Sequence, residues 1–177
     1  MSPNETFQLE IVDQPERARC CGFGSYDFRS INPTPIIKLR SFPNHHTFDS
    51  QFLVTATLYS VDPKNQNKPQ KELLNNLIGT TVAESRILKG LNDSDGVFFV
   101  FPQLYIRKAG TYRLLFKLLR IFGPDSTHML PESTVVDMVF SEPLLAYAPR
   151  YFPGKSKSTM LMKFLAKQTH DLKSRTL

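Results

Sequence analysis

Short stretches in which apolar and polar residues alternate run through most of the chain. In Phe7–Val12 and in Phe52–Ser60 every second residue is apolar, and β-branched and aromatic residues are frequent. This period of two is typical of half-buried strands. Further candidate strands are Ile36–Arg40, Leu77–Leu88, Val97–Phe101, Leu104–Arg107, Thr134–Phe140 and Leu144–Ala148. Clusters rich in Gly, Pro, Asn and Asp separate them, and the 13 prolines argue against a helical bundle.

Residues 112–122 fit two patterns. Their aromatic and leucine side chains fall on every second position, whereas their basic residues recur at helical spacing. The residues alone leave both alternatives open, and a helix is a reasonable expectation here.

The last 20 residues predict an amphipathic helix. Ser158 or Thr159 can cap it, and it runs to about Leu172. Its predicted apolar face consists of Leu161, Phe164, Leu165, Gln168 and Leu172. The polar stretches 62–76 and 126–133 predict surface loops. The sequence therefore predicts a mainly β protein, a β-sandwich with one C-terminal α-helix.

Length and composition agree with one globular domain. The chain has 177 residues, of which 41% are hydrophobic and 21% charged, and we expect a single domain over residues 7–177 with surface loops near 62–76 and 123–133. No apolar run is long enough to predict a membrane span. The N-terminus lacks the pattern of a secretory signal, and the adjacent Cys20 and Cys21 suit free thiols in a reducing compartment.

No motif points to catalysis. Gly22-Phe23-Gly24-Ser25 is neither a nucleophile elbow nor a dinucleotide fingerprint, and no phosphate-cradling loop is present. We therefore expect no catalytic residue, no metal, no cofactor and no small-molecule substrate.

The net charge of +6 is unevenly distributed. Residues 1–150 hold 16 Lys or Arg against 15 Asp or Glu, and residues 151–177 hold six against one. Lys155 and Lys157 precede the predicted helix, where backbone amides also favour phosphate. This distribution indicates a polyanionic partner, although such charge runs are more often solvated helix faces.

A second basic segment follows the first strand. Gln14–Arg29, which we expect to be a loop, contains Arg17, Arg19 and Arg29 among glycines and aromatic residues, against Glu16 and Asp27. Arginine suits phosphates and guanine edges, whereas ion pairing inside the loop is the alternative.

This segment and three later ones resemble the velvet domain of fungal regulators. The matching blocks, in the order of the family, are Gln14–Gly24 with Arg29–Ile36, Leu77–Gly79, Gly96–Leu104 with Arg107–Leu114, and Phe152–Gly154 with Ser158–Leu161. Together they extend from about Phe7 to Arg175.

The resemblance implies an immunoglobulin-like β-sandwich similar to the Rel homology region, in which residues 112–122 form a strand. It implies a sequence-specific, double-stranded-DNA-binding transcription regulator of development, sporulation and secondary metabolism. Such a protein acts as a dimer with itself or another velvet protein, in the nucleus with a cytoplasmic pool. The alternative is a velvet-type scaffold that heterodimerises without binding DNA.

The resemblance also implies DNA contacts at Arg17, Arg19 and Arg29, and the charge distribution makes Lys155 and Lys157 candidates for phosphate contact. The predicted set is Arg17, Arg19, Arg29, Lys38, Arg40, Lys155 and Lys157. It further implies that Cys20 or Cys21 lies in the loop that faces DNA, where oxidation would disturb binding.

Overall fold

The computed structural model describes residues 6–24, 27–42, 51–62, 65–71, 75–121 and 135–169. Within those ranges the chain forms thirteen strands and one α-helix. The elements are β1 (Thr6–Asp13), β2 (Arg17–Arg19), β3 (Ile36–Phe42), β4 (Gln51–Asp62), β5 (Asn65–Lys71), β6 (Leu77–Gly79), β7 (Val82–Glu84), β8 (Arg86–Lys89), β9 (Asp95–Val100), β10 (Leu104–Ile106), β11 (Gly110–Ile121), β12 (Val135–Phe140), β13 (Leu144–Tyr147) and α1 (Met160–Gln168). Pro149–Tyr151 adds a short 3-10 turn.

Two sheets pack into a sandwich. The small sheet has the order β1-β3-β9-β8, and the large sheet has the order β2-β13-β11-β4-β5, with β12 also paired to β11 and β7 to β4. Strands β6 and β10 form a separate pair. The inward side chains of both sheets share one apolar core, which includes Leu9, Ile37 and Phe99 from the small sheet and Val54, Leu58 and Phe116 from the large one. The mainly β sandwich with a C-terminal helix, predicted from the sequence, is confirmed.

Within the ambiguous segment 112–122, residues 112–121 belong to strand β11. It pairs with β4 from Tyr112 to Ile121, and its inward Leu114, Phe116 and Leu118 are fully buried. Leu115 lies between them on the opposite face and is also buried, at 3% exposure. Burial on both faces weakens the alternation in the sequence, and for this reason the pattern also admitted a helix.

Two sequence predictions of extended and loop structure need correction. Leu77–Leu88 is three short strands instead of one, because β6, β7 and β8 pair with three different neighbours. Residues 65–71 are not loop but strand β5, an edge strand on β4, where a proline is tolerated. The predicted loop at 123–133 falls outside the described residues.

Helix α1 begins as predicted but buries a different face. Thr159 is the N-cap, and its hydroxyl accepts a hydrogen bond from the Met162 amide at 3.0 Å. The buried side chains are Met162, Leu165 and Ala166, so the predicted face is rotated. They pack on the outer face of the small sheet, against Ile36, Leu88, Phe98 and Val100. The helix ends at Gln168, and the predicted continuation past Thr169 lies outside the described residues. Among the helices of the described chain, none has the length and apolarity to cross a membrane.

Candidate nucleic-acid interface

The first two arginines of the basic segment lie on a strand, contrary to the predicted loop. Strand β2 pairs in parallel with β13, with Arg17 opposite Leu145 and Arg19 opposite Tyr147. Ala18 between them is completely buried. Because successive side chains of a strand point to opposite faces, both arginines extend away from the core. The sequence missed this strand because its partner lies more than 120 residues away.

Asp27 joins two of the arginines. Its carboxylate accepts a hydrogen bond from Arg19 at 2.6 Å and one from Arg29 at 3.3 Å. Slight desolvation raises the pKa of Asp27, but the hydrogen bond from Arg29 and the charges of both guanidinium groups outweigh it, so the pKa lies below its ordinary value. Asp27 is therefore ionised at neutral pH and holds both guanidinium groups on one surface.

Asn32 connects the N-terminal arginines with the C-terminal lysines. Its backbone exchanges two hydrogen bonds with the backbone of Arg17, at 2.9 and 2.8 Å. Its side-chain oxygen accepts hydrogen bonds from the amide and the hydroxyl of Ser156, at 2.8 and 2.6 Å. The exposed Lys155 and Lys157 flank Ser156. The two basic segments, separate in sequence, therefore meet beside β2.

Two further cations lie close by in the turn between β10 and β11. The guanidinium carbon of Arg107 lies 4.9 Å from the centre of the Phe23 ring, and the Lys108 ammonium lies 5.8 Å from it. The backbone amide of Gly22 donates a hydrogen bond to the Arg107 carbonyl at 3.1 Å. The sequence analysis did not assign Arg107 and Lys108 to the site. The available signal was a basic pair directly before the turn at Gly110.

A buried asparagine holds this turn in place. Asn76 is 3% exposed, and its carbonyl and side-chain oxygens accept hydrogen bonds from the amides of Arg107 and Lys108, each at 2.9 Å. Its side-chain amide donates to the Tyr112 hydroxyl at 3.1 Å. A buried polar group is retained where it is hydrogen-bonded, and here Asn76 fixes the backbone that presents the two cations.

Aromatic contacts make the two halves of the surface continuous. The ring of Phe28, between Asp27 and Arg29 in sequence, packs 5.4 Å from the ring of Tyr105 in β10. The amide of Cys21 also donates to the carbonyl of Ile106 at 3.0 Å, so the segment after β2 follows β10. We call this surface the basic edge, and its charged residues are Arg17, Arg19, Arg29, Arg107, Lys108, Lys155 and Lys157, with Glu16 and Asp27.

The basic edge has a net charge of +5, from seven cations and two carboxylates. The segment Gln14–Arg29 alone has +1, from three arginines and the same two carboxylates. The fold thus brings together on one surface seven cations from three separate parts of the sequence.

The other two predicted residues lie elsewhere. Lys38 and Arg40 are on β3, on the outer face of the small sheet, where Lys38 lies 5.6 Å from the centre of the Phe98 ring. Arg40 pairs with Glu10 at 2.6 Å. The hydrogen bond and charge of Arg40 lower the pKa of Glu10, so this carboxylate stays ionised and balances the Arg40 charge. None of the contacts described above connects this pair to the basic edge.

The cysteines do not face outward. Cys20 and Cys21 are free thiols with 8% and 4% exposure. Burial raises the pKa of the Cys21 thiol, which lowers its thiolate fraction and hence its reactivity. Burial of both thiols makes their oxidation unfavourable, and the expectation that their segment faces DNA stays a prediction.

Comparisons with known proteins identify the family of the chain. The family model described as Velvet factor matches residues 7–67 and 59–176. The chain belongs to the Velvet factor family.

Named relatives place the family among regulators. The chain is 35% identical to "Sexual development regulator umv3" of Mycosarcoma maydis over 93% of its length and 44% of that protein. It is 32% identical to "Sexual development regulator VELC" of Pyricularia oryzae over 92% of its length and 39% of that protein. It is 31% identical to "Developmental and secondary metabolism regulator veA" of Penicillium rubens over 92% of its length and 35% of that protein. The chain thus spans less than half the length of each of these relatives.

Proposed function

We propose that this chain is a sequence-specific DNA-binding regulator of fungal development, sporulation and secondary metabolism, acting in the nucleus as a dimer, with a cytoplasmic pool. Velvet relatives named as regulators support the regulatory role, and these family names favour a regulator over an enzyme. The observation that supports DNA binding is the basic edge, where five of the seven predicted residues meet Arg107 and Lys108.

The arrangement suits a phosphate backbone. Arg17 and Arg19 extend from a hydrogen-bonded strand, so they are presented in a fixed orientation. Their partners Glu16 and Asp27 are about half exposed. Exposed ion pairs contribute about 0–1 kcal/mol, so a DNA phosphate can replace Glu16 at Arg17 at little cost. Guanidinium groups then bind phosphates or guanine edges with two parallel hydrogen bonds.

We predict that Arg17→Ala with Arg19→Ala weakens DNA binding by an order of magnitude or more. Each arginine that contacts a base contributes about 1–3 kcal/mol. Fluorescence anisotropy with a labelled duplex measures the affinity, after a selection from randomised duplexes has identified the preferred sequence. The affinity should fall with salt at a log–log slope of about −0.9 per neutralised phosphate.

The matched control removes two charges away from the basic edge. Lys89 lies on β8 and pairs with Asp93, and Lys163 is exposed on α1. The double variant Lys89→Ala with Lys163→Ala has the same net charge as the arginine variant and should bind DNA nearly as well as the wild type. Equal losses in both variants would contradict the site and leave only non-specific attraction.

A second candidate function is the scaffold that heterodimerises without touching DNA. The outer face of the large sheet favours it, because Met138 of β12 is 59% exposed and Phe140 and Leu145 are 37% and 40% exposed. Exposed apolar patches of this kind mark interaction sites. The occupant that we propose for this face is another velvet domain.

Light scattering combined with anisotropy separates the two functions. We expect a dimer that binds duplex DNA at low salt, and Met138→Lys should lower its association constant without changing the fold. A dimer with no DNA affinity at low salt would instead establish the scaffold. If the Met138→Lys variant dimerises as strongly as the wild type, another face forms the dimer.

A further inference from the structure

Phe23 is more exposed than Phe28, the other aromatic residue described in the segment after β2. It occupies the middle of the turn Gly22–Gly24, and its exposure is 64%. A ring exposed at the tip of a turn can bury apolar surface when a partner binds, and such burial is favourable.

The turn that presents this ring is held by backbone hydrogen bonds. The amides of Cys21 and Gly22 donate to the carbonyls of Ile106 and Arg107, at 3.0 and 3.1 Å. The Arg107 guanidinium donates to the Gly22 carbonyl at 3.4 Å. Gly22 has φ of +66°, a conformation that favours glycine. The position of Phe23 is therefore fixed before any partner binds.

Two cations accompany the ring. Arg107 lies 4.9 Å and Lys108 lies 5.8 Å from its centre, within the range of cation–π attraction. An apolar side chain beside two cations matches a DNA groove, where base edges lie close to phosphates.

We propose that Phe23 enters the major groove of duplex DNA and packs against a thymine methyl group, while Arg107 and Lys108 bind phosphates beside it. The proposal rests on the DNA-binding function proposed above. Apolar contact with the thymine methyl is a recognised means of reading an A·T pair. Arg107 lies over the ring, so stacking Phe23 between base pairs would first require its displacement, whereas the exposed ring edge is free to meet a methyl group.

The test compares thymine with uracil, which differ by this methyl group alone. A selection from randomised duplexes first gives the sequence that the wild type prefers. Uracil is then substituted for each thymine of that duplex in turn, and the affinity is measured by anisotropy. One substitution should weaken wild-type binding about fourfold, the contribution of one buried methyl-sized group.

The variant Phe23→Ala should bind the thymine and uracil duplexes equally well at that position. Phe28→Ala is the matched control, because Phe28 is a second exposed aromatic residue of the basic edge, packed on Tyr105. It should keep the fourfold preference for thymine. Thermal unfolding should give the same midpoint for Phe23→Ala and wild type, since the ring lies outside the core.

Salt dependence separates base contact from phosphate contact. Arg107→Ala and Lys108→Ala should each reduce the steepness of the log–log salt slope by about 0.9, whereas Phe23→Ala should leave the slope unchanged.

The possible failures are distinguishable. A wild-type chain that binds no duplex at low salt overturns the proposed function together with this inference. A wild-type chain that binds DNA but does not distinguish thymine from uracil at any position overturns the inference alone. The same holds if Phe23→Ala keeps the full preference for thymine.

Discussion

Asp13 shows how one carboxylate can connect distant parts of the chain. Its side chain accepts a hydrogen bond of 2.5 Å from the hydroxyl of Thr159, which in turn accepts from the amide of Met162. Asp13 ends β1, and Thr159 caps α1. Burial raises the pKa of Asp13 above its ordinary 3.8, and the hydrogen bond from Thr159 only partly opposes this. The ionised form of Asp13 is thus less favourable in the folded protein than in the unfolded chain.

This shift predicts a pH-dependent difference between the wild type and Asp13→Asn. Between its unfolded and folded pKa values Asp13 binds more protons in the native state, so the contribution of this residue to stability falls as pH rises above about 3.8. Asparagine does not titrate and still accepts the hydrogen bond from Thr159. The free energy of unfolding of the variant minus that of the wild type should therefore increase from acid to neutral pH. Urea denaturation at several pH values measures it, and a difference independent of pH would contradict the prediction.

Helix α1 is the element that covers the outer face of the small sheet. Besides its apolar contacts, Gln168 binds the edge strand β8 twice, accepting from the Lys89 amide at 2.8 Å and donating to the Lys89 carbonyl at 2.9 Å. These bonds satisfy backbone groups of an edge that would otherwise remain unpaired. The helix is therefore part of the folded domain, and its N-terminus fixes the segment that contains Lys155 and Lys157.

We expect Leu165→Ala to lower the free energy of unfolding by about 2–5 kcal/mol, the usual cost of such a cavity. Leu165 is fully buried between the helix and the small sheet. Met160→Ala is the control in the same helix, since Met160 is 74% exposed and should change stability little. Equal urea midpoints for both variants would show that the helix does not pack as described.

At the level of elements, the sequence predicts features that depend on residues nearby in the chain. It misses features that depend on residues far apart in the chain. Alternation located β1 and β4 because each has one buried face, whereas β9, which is buried on both faces, was located as a short apolar run between turn residues. It located the cap Thr159 because capping is local. The strand nature of Arg17–Arg19 depends on pairing with β13, so no local pattern indicates it. Likewise, the buried face of α1 is set by the residues of the small sheet that it meets.

On the scale of the whole molecule, one hydrogen bond connects the two sheets at their edges. The Leu9 amide in β1 of the small sheet donates to the Asp137 carboxylate in β12 of the large sheet, at 2.6 Å. Leu9 is 4% exposed, so water could not replace the Asp137 carboxylate as the hydrogen-bond partner of its amide.

Asp137→Ala should therefore destabilise the fold by about 1–3 kcal/mol, the cost of an unsatisfied buried amide. Asp137→Asn keeps an acceptor oxygen and should lose less. Chemical denaturation of both variants gives the comparison, and native-state hydrogen exchange should show faster exchange at Leu9 in the alanine variant. Protection of the Leu9 amide in both variants at the wild-type level would refute the assignment.

For the candidate site too, the sequence indicates the residues that are close together in the chain and does not indicate the distant residues that join them. Arg17, Arg19 and Arg29 stand close together in the sequence, and the family resemblance pointed to them. Their junction with Lys155 and Lys157 depends on Asn32 and Ser156, which are 124 residues apart. Arg107 and Lys108 join only because β10 runs beside the segment after β2. The composition shows that the chain is positively charged, but only the fold brings these charges together on one surface.

The parallel pairing of β2 with β13 has a consequence for how the protein is made. During translation Arg17 and Arg19 leave the ribosome more than 120 residues before Leu145 and Tyr147, their strand partners. Nearly all of the core residues have therefore been synthesised before β2 can pair with β13. Any product that stops short of β13 lacks the strand that pairs in parallel with β2, and domains with such distant pairings complete their folding late. The basic edge can thus be complete only after synthesis has reached the C-terminal part of the chain.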